Sequence, residues 1–302
     1  MAIKAHSISS STEASGDVAK PATRSGTFQI GGELPVTRLG FGAMRITGKG
    51  IWGEPADHDE AIRVLRRAVD LGINFIDTAD SYGPEVSERL IAEALYPYPD
   101  DLVIATKAGF DRPGPNKWTV NGDPKHLRQA FEGSIRRLRV DRIDLYQLHR
   151  IDSRFPLEDQ LGVFKDLVDE GKVRYVGLSE VTVPQIEHAR KIMPIVTVQN
   201  KYSLADRTYE DVLDYCEREQ LGFIPWNPIN AGNIGGLGAR LNDLAKYHGI
   251  TTAQLALAWL LWRTPVMLPI PGTSRVAHLE ENVAAATLNL GEPEFRELTD
   301  AA

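Results

Sequence analysis

Short apolar runs alternate with amphipathic segments about eight times along this chain of 302 residues. The runs are nearly continuous in apolar character and rich in β-branched and aromatic residues, as expected of strands covered on both faces. They occupy residues 38–43, 73–79, 101–107, 144–149, 174–179, 196–200, 222–227 and 266–272. The alternation predicts parallel βα units in an α/β fold, and the count favours a single-domain (β/α)8 TIM barrel over an open doubly wound sheet.

The segments between the runs carry helix signals at their ends. Asp123 can cap a helix over residues 123–138, because Pro124 then takes the first helical position. A second helix is predicted over 156–171, where Gly171 provides the stop. Residues 251–263 are apolar on most faces, which predicts a well-buried helix.

The first part of the chain differs from the rest. Residues 1–25 are rich in Ser, Ala and Thr without an aromatic residue, which predicts a disordered extension before a barrel domain over 26–302. Within residues 27–39, Gly31 and Gly32 separate two extended runs, and this pattern predicts a β-hairpin preceding the barrel.

The composition limits the class of partner. A formal net charge of −7 gives no electrostatic footprint for nucleic acid or an anionic membrane. No apolar run approaches the ~18 residues of a spanning helix. The single cysteine, Cys216, fits a reducing, cytoplasmic location, and the seven scattered histidines predict no metal site. We therefore expect a small-molecule ligand, with the oligomeric state left open.

Ionisable residues stand at the ends of three successive predicted strands. Asp77, Lys107 and His149 occupy these ends, and Tyr82 follows Asp77 in the same connection. Barrel enzymes collect their chemistry at the carboxyl ends of strands, so the four side chains should converge. A lysine cation stabilises a phenolate, a carboxylate keeps that lysine charged, and a histidine can orient a carbonyl oxygen. The pattern predicts a proton-transfer site.

Several motifs, taken in order, resemble those of the aldo-keto reductase family. They are INFIDTADSYGPEVSERL, VIATK, DLYQLH, KVRYVGLSE followed by VTVQN, and IPGTSRVAHLEEN, and the resemblance runs from about Phe28 to Asn289. It implies NADPH-dependent reduction of an aldehyde or ketone, with NADH less favoured. The catalytic tetrad implied is Asp77, Tyr82, Lys107 and His149, with Tyr82 as the general acid. A cofactor-binding regulatory subunit with little turnover is the alternative function within the same fold.

The resemblance also implies a cofactor site, in which Trp226 stacks on the nicotinamide and Ser179 and Gln199 bond its carboxamide. The start of the last motif, with its arginine, suits a phosphate. The cofactor-binding residues implied are Gly42, Ala43, Met44, Asp77, Ser179, Glu180, Gln199, Trp226, Asn227, Pro228, Ile229, Gly272, Thr273, Ser274, Arg275, His278, Glu281 and Asn282.

Two departures from the family pattern concern that cofactor site. Glu180 stands where relatives usually have Asn, and a carboxylate cannot donate to the carboxamide oxygen. Gly272 and His278 replace the Lys and Arg of many members, which leaves Arg275 as the fixed cation for a 2′-phosphate.

The substrate side is expected to be aromatic. Trp52, Trp118, Tyr82 and His149 are the predicted substrate-facing residues, and residues 108–123 are predicted to form a loop over the mouth of the barrel. The stretches LGFGAMRITGKGIWGEP and EALYPYPDDLVIATK are similar to the pyridoxal-reductase-like branch of the family. Pyridoxal is therefore a candidate substrate.

Overall fold

The computed structural model describes residues 20–229 and 238–300 of the chain. Seven parallel strands form one sheet. In their order across the sheet, the strands are β3 (Phe41–Gly42), β4 (Phe75–Asp77), β5 (Val103–Ala108), β8 (Ile143–Leu148), β9 (Val173–Ser179), β10 (Thr197–Gln199) and β11 (Gly222–Phe223). Each overlaps one of the first seven predicted runs, so the parallel α/β prediction is confirmed.

The last predicted run joins the two edges of this sheet. Phe223 N donates to Val266 O at 2.9 Å, and Leu268 N donates to Phe223 O at 2.8 Å. On the opposite edge, Gly40 N donates to Pro269 O at 2.9 Å. These bonds close the sheet into a barrel, as the sequence predicts.

The prediction that residues 266–272 form an eighth strand is nevertheless wrong. This segment makes a single bridge, between Phe223 and Met267, and no continuous ladder. Pro269 and Pro271 lie within it and have no N–H to donate, so alternate ladder bonds cannot form. Pro225 interrupts the run at 222–227 in the same way, and β11 ends at Phe223.

Helices connect the strands and cover the outside of the barrel. They are α1 (His58–Asp70), α2 (Val86–Leu95), α3 (Pro124–Leu138), α4 (Leu157–Asp169), α5 (Val183–Ile192), α6 (Glu210–Glu219), α7 (Gly238–His248), α8 (Thr252–Arg263), α9 (Val276–Ala284) and α10 (Glu292–Asp300). The three predicted helices are confirmed. Asp123 accepts from Lys125 N at 2.8 Å at the start of α3, and Gly171 has a φ of +71° just beyond α4. The middle of α8 is buried, as predicted.

The N-terminal hairpin packs against one end of the barrel. Strands β1 (Thr27–Ile30) and β2 (Leu34–Thr37) pair antiparallel around Gly31 and Gly32, both with positive φ, which confirms the predicted hairpin. Ile30 and Leu34 join the core cluster that contains Phe75 and Val103, the first residues of β4 and β5. The opposite end of the barrel is therefore left for the site.

Two predictions about irregular segments need correction. Residues 21–25 form a 3-10 helix in which Ala22 and Ser25 are buried, so the predicted disordered extension ends too late; residues 1–19 lie outside the described part. The segment 108–123 is not an open loop, because most of it folds into the antiparallel pair β6 (Phe110–Gly114) and β7 (Lys117–Val120). Within the described ranges, no helix has the length and apolar character needed to cross a bilayer.

Candidate active site

Lys107 is the centre of the site. It is the penultimate residue of β5, and its side chain is fully buried. Its Nζ donates to Asp77 Oδ1 at 2.5 Å, to Thr78 O at 2.8 Å and to Tyr82 Oη at 3.3 Å. Asp77 ends β4 and Tyr82 lies in the connection that follows, so neighbouring parallel strands bring these groups to one edge. The structure thus places the predicted Lys-Asp-Tyr cluster in direct contact.

Two glutamine amides hold the other oxygen of Asp77. Gln147 Nε2 donates to Asp77 Oδ2 at 3.0 Å, and Gln199 Nε2 donates to the same atom at 2.9 Å. A buried ion pair is stable only when its remaining lone pairs are satisfied, and these amides meet that need. Gln199 therefore bonds Asp77 here, where the sequence predicts a carboxamide contact. Sequence reasoning missed Gln147, although period-2 alternation puts it on the same face of the chain as His149.

Burial and the charges of neighbouring groups together set the protonation states of Tyr82 and Lys107. Burial raises the pKa of Tyr82 above its ordinary value, and the opposing effect of Lys107 is smaller. Burial alone would lower the pKa of Lys107, but Asp77 and Tyr82 outweigh it and the net direction is upward. The site therefore holds a protonated phenol next to an ammonium ion. Lys107 lowers the pKa of Tyr82, as expected of a cation that stabilises the phenolate. The opposing effect of burial on this pKa is larger.

His149 is held neutral. Burial lowers its pKa well below the ordinary value, and the positive charges of Lys107, Arg150 and Arg112 lower it further. Its Nδ1 lies 3.5 Å from Ser81 Oγ. The imidazole is available as a hydrogen-bonding group, not as a cation.

Aromatic rings surround the phenol and the imidazole. Trp118 lies edge-on to Tyr82 at 6.3 Å between centroids and to His149 at 6.4 Å, and Phe110 lies 4.7 Å from His149. We call Tyr82, Phe110, Trp118 and His149 the aromatic mouth. Three of its members were predicted to face substrate, whereas Phe110 was missed because the hairpin that places it was read as a loop.

Arg112 connects three segments around the aromatic mouth. Its Cζ lies 3.6 Å from the centroid of Trp118 and 5.7 Å from that of Trp52. Its guanidinium donates to backbone carbonyls on three connections, namely those of Ser81, Gly50, Ile51 and Lys117. Trp52, a predicted substrate residue, therefore lies beside the aromatic mouth and touches it through Arg112. Nothing in the sequence distinguishes Arg112 from the arginines that are expected to be exposed to solvent.

Glu180 bonds protein donors. It follows the last residue of β9 with a φ of +56°. Its Oε1 accepts from Trp226 Nε1 at 2.6 Å and from Lys201 N at 2.7 Å, and its Oε2 accepts from Tyr209 Oη at 3.3 Å. The carboxylate thus fixes the indole of Trp226. Ser179, just before it, is buried, and its Oγ accepts from Arg150 Nη1 at 3.0 Å.

The end of the run 266–272, which closes the barrel, lies against β3. A Cβ on Gly42 would lie 2.6 Å from Ile270 O, and a Cβ on Gly272 would lie 2.5 Å from Gly42 O, so both positions require glycine. Ala43 and Met44 follow in a short 3-10 helix. The two glycines therefore bring residues 42–44 and the start of the last motif together.

The start of α9 is open to solvent. Ser274, Arg275 and His278 are exposed, whereas Thr273 and Asn282 are buried and Glu281 is half-buried. Arg275 is the N-cap of α9, and its side chain makes no hydrogen bond or ion pair with the described residues. Asn227, Pro228 and Ile229 directly precede residues 230–237, which lie outside the described part. Among the residues that the structure describes, no three His, Cys, Asp or Glu side chains are grouped to hold a metal.

Comparison with known proteins agrees with this geometry. The Aldo/keto reductase family profile matches residues 38–302. An oxidoreductase of Schizosaccharomyces pombe is 52% identical over 279 residues, covering 92% of this chain and 90% of that protein. Pyridoxine 4-dehydrogenase of Escherichia coli is 43% identical over 274 residues, covering 89% and 95%.

A solved structure has a similar fold. An aldo-keto reductase of Klebsiella pneumoniae in complex with NADPH superposes with a TM-score of 0.77 at 29% identity, covering 91% of this chain and 94% of that one. The resemblance drawn from the motifs is confirmed, and the chain belongs to the aldo/keto reductase family, a family of oxidoreductases.

Proposed function

We propose that this protein catalyses the NADPH-dependent reduction of an aldehyde or ketone to the alcohol, with Tyr82 as the general acid. The contact of buried Lys107 with both Asp77 and Tyr82 carries this proposal. It keeps a protonated phenol beside a fixed cation, which is the arrangement that proton donation requires. Because Tyr82 also borders Trp118 and His149, its proton is directed to a substrate in the aromatic mouth.

Each tetrad residue has a separate role in the proposed reaction. The carbonyl oxygen takes the proton of Tyr82 Oη while the carbonyl carbon receives a hydride, and the product is the alcohol. Lys107 stabilises the phenolate left on Tyr82, and Asp77 balances the charge of Lys107. Neutral His149 hydrogen-bonds the carbonyl oxygen and orients it.

Bound NADPH supplies the hydride, and the residues present fit this group. Arg150 donates to Ser179 Oγ, which leaves the hydroxyl proton of Ser179 free for the carboxamide oxygen. Trp226, held by Glu180, offers a fixed ring face to the nicotinamide. The exposed start of α9 with Arg275 suits the 2′-phosphate, which NADH lacks. The first two features fit the nicotinamide end that NADPH and NADH share, and the third, Arg275, supports NADPH over NADH.

Pyridoxal is the proposed substrate to examine first. Pyridoxine 4-dehydrogenase of Escherichia coli shares 43% of its residues with this chain over nearly its whole length. The aromatic mouth matches a flat heteroaromatic aldehyde, because ring edges and faces stack favourably.

A carbonyl screen tests the proposed function. Oxidation of NADPH is followed by absorbance with pyridoxal and with simple aliphatic and aromatic aldehydes, and the reverse reaction is followed with pyridoxine and NADP+. We expect turnover of aldehydes with NADPH and slower turnover with NADH. Tight NADPH binding without turnover of any carbonyl would favour the alternative, a regulatory subunit of the same fold.

Replacing Tyr82 by Phe tests the assignment of the acid. We expect kcat to fall about 10²–10⁴-fold, since the ring packing remains and only the proton donor is lost. NADPH binding, measured by fluorescence titration, should change little. A variant that keeps most of the activity would show that another group donates the proton.

The reaction is proposed to take place in the cytoplasm. The single cysteine, Cys216, cannot form an intramolecular disulfide, which is typical of proteins of a reducing compartment.

A further inference from the structure

Arg150 lies between the proposed carboxamide site and the aromatic mouth. It directly follows the catalytic His149 and is half-buried. Its Nη1 donates to His149 O at 2.6 Å and to Ser179 Oγ at 3.0 Å, and its Cζ lies 5.4 Å from the Phe110 centroid. The guanidinium is therefore fixed in place by one of its terminal nitrogens.

The other edge of this guanidinium is open. Neither Nε nor Nη2 of Arg150 has an acceptor among the described residues, and neither atom is sealed from solvent. No carboxylate of the described part lies within 4 Å of the Arg150 guanidinium. Glu180 is near enough to act on Arg150 electrostatically, but its oxygens already accept from Trp226, Lys201 and Tyr209. The Nε and Nη2 edge presents two parallel N–H donors, the geometry that matches a carboxylate.

The charge around the aromatic mouth is positive although the whole chain is acidic. Lys107, Arg150 and Arg112 all act on His149, and only Lys107 has a buried carboxylate partner. Arg112 uses its donors on backbone carbonyls, which leave its charge uncompensated. With a neutral aldehyde, Arg112 would have no counter-ion and Arg150 would have only Glu180, a carboxylate that it does not bond, and in a partly buried site this is unfavourable.

We propose that Arg150 binds an anionic oxygen of the substrate, so that the enzyme selects carbonyl compounds bearing an oxyanion such as a carboxylate or phenolate. This inference rests on the proposed reductase function and deepens it. Pyridoxal has an acidic ring hydroxyl beside its aldehyde and so belongs to the selected class.

Matched acids and esters provide the test. The ratio of kcat/KM for each of 2-, 3- and 4-formylbenzoate to that of its methyl ester is measured with NADPH. The acid and the ester share the aldehyde and the ring and differ in charge, so the ratio isolates recognition of the anion. We expect at least one acid to be preferred about tenfold or more, the scale of a charge-assisted hydrogen bond.

The variant Arg150→Met should reduce this preference to near unity. Arg142→Met is the matched control, because Arg142 precedes the same strand β8 at its opposite end and is exposed. The control should keep the wild-type ratio. Thermal unfolding and NADPH titration of both variants establish that they fold and bind cofactor.

Four outcomes would overturn the proposal. Wild-type protein that prefers none of the three acids to its ester rejects it without any variant. An equal loss of activity on acid and ester in Arg150→Met would mean that Arg150 only supports Ser179. Absence of turnover on every acid and ester, while other aldehydes of the carbonyl screen are reduced, would reject this inference alone. Absence of turnover on every aldehyde would remove the proposed function, and this inference with it.

Discussion

The two sides of the barrel opening are built differently. On the tetrad side, Lys107 and Asp77 are buried and partner each other, with the glutamine amides completing their bonds. On the cofactor side, Ser274, Arg275 and His278 are exposed at the start of a helix. The proposed proton donor is thus packed among protein groups, whereas the residues proposed to bind the 2′-phosphate face solvent. Substitutions on the first side should affect chemistry and stability together, and those on the second side should affect binding alone.

The largest effect is expected for Lys107→Met. This change removes the cation beside Tyr82 and leaves Asp77 as an unpaired buried carboxylate. We expect kcat to fall at least about 10²-fold and the free energy of unfolding to drop by about 3–5 kcal/mol. Denaturant unfolding and steady-state kinetics measure both.

A double variant separates the two losses. Adding Asp77→Asn to Lys107→Met removes the unpaired charge, so stability should recover while activity should not. Recovery of activity would contradict the role assigned to Lys107, and unchanged stability in the single variant would show that the tetrad side is not fixed by its ion pair.

Arg275→Ala should affect the cofactor side only. Its guanidinium makes no bond to the described residues, so we expect an unchanged melting temperature. The KM for NADPH should rise about 10–150-fold, since a charge-assisted hydrogen bond to the 2′-phosphate is lost. The KM for NADH should hardly change.

Arg63→Ala is the control for Arg275→Ala, because Arg63 is exposed and pairs with Glu60, which accepts from Val276 N at the start of α9. An equal effect of Arg275→Ala on both cofactors would show that this arginine does not read the 2′-phosphate.

Two variants of Glu180 test how the hydrogen bond to Trp226 affects NADPH binding. In Glu180→Ala, Trp226 loses the acceptor of its indole N–H, and we expect the dissociation constant of NADPH to rise about tenfold or less. Glu180→Gln keeps an acceptor oxygen and should bind NADPH more nearly as the wild type does. Quenching of tryptophan fluorescence measures both. Equal weakening in the two variants would mean that the negative charge matters and the hydrogen bond does not.

The smallest effect is a pH dependence of stability from His149. Its pKa in the folded protein is well below 6.5, so as pH falls below 6.5 the unfolded chain takes up a proton that the folded protein does not. The contribution of neutral His149 to the free energy of unfolding is fully present above pH 6.5. Below that pH it is lost at up to about 1.4 kcal/mol per pH unit. His149→Gln, which stays neutral, should show a shallower loss of unfolding free energy between pH 7 and 5. Parallel curves would show that folding does not lower the pKa of His149.

Local patterns in the sequence were sufficient for the barrel and the tetrad. The alternation of apolar runs and helices specifies parallel βα units, and in such a fold the carboxyl ends of strands meet at one edge. Asp77, Lys107 and His149 could therefore be assigned to one site from their positions at strand ends alone. The helix caps at Asp123 and Gly171 were predictable for the same reason, because the groups involved are neighbours in the chain.

Only the tertiary structure decided which groups partner across the opening. Gln199 bonds Asp77, Glu180 bonds Trp226 and Arg150 bonds Ser179, contacts that span 122, 46 and 29 positions. Strand register, a positive φ at Glu180 and the choice of side-chain rotamers fix these pairs, and none of these leaves a periodic signal in the sequence. The sequence by itself thus determined the fold and the grouping of Asp77, Tyr82 and Lys107, because both depend on local pattern. The folded structure determined which donors are satisfied by protein and which, like the open edge of Arg150, are left for a ligand.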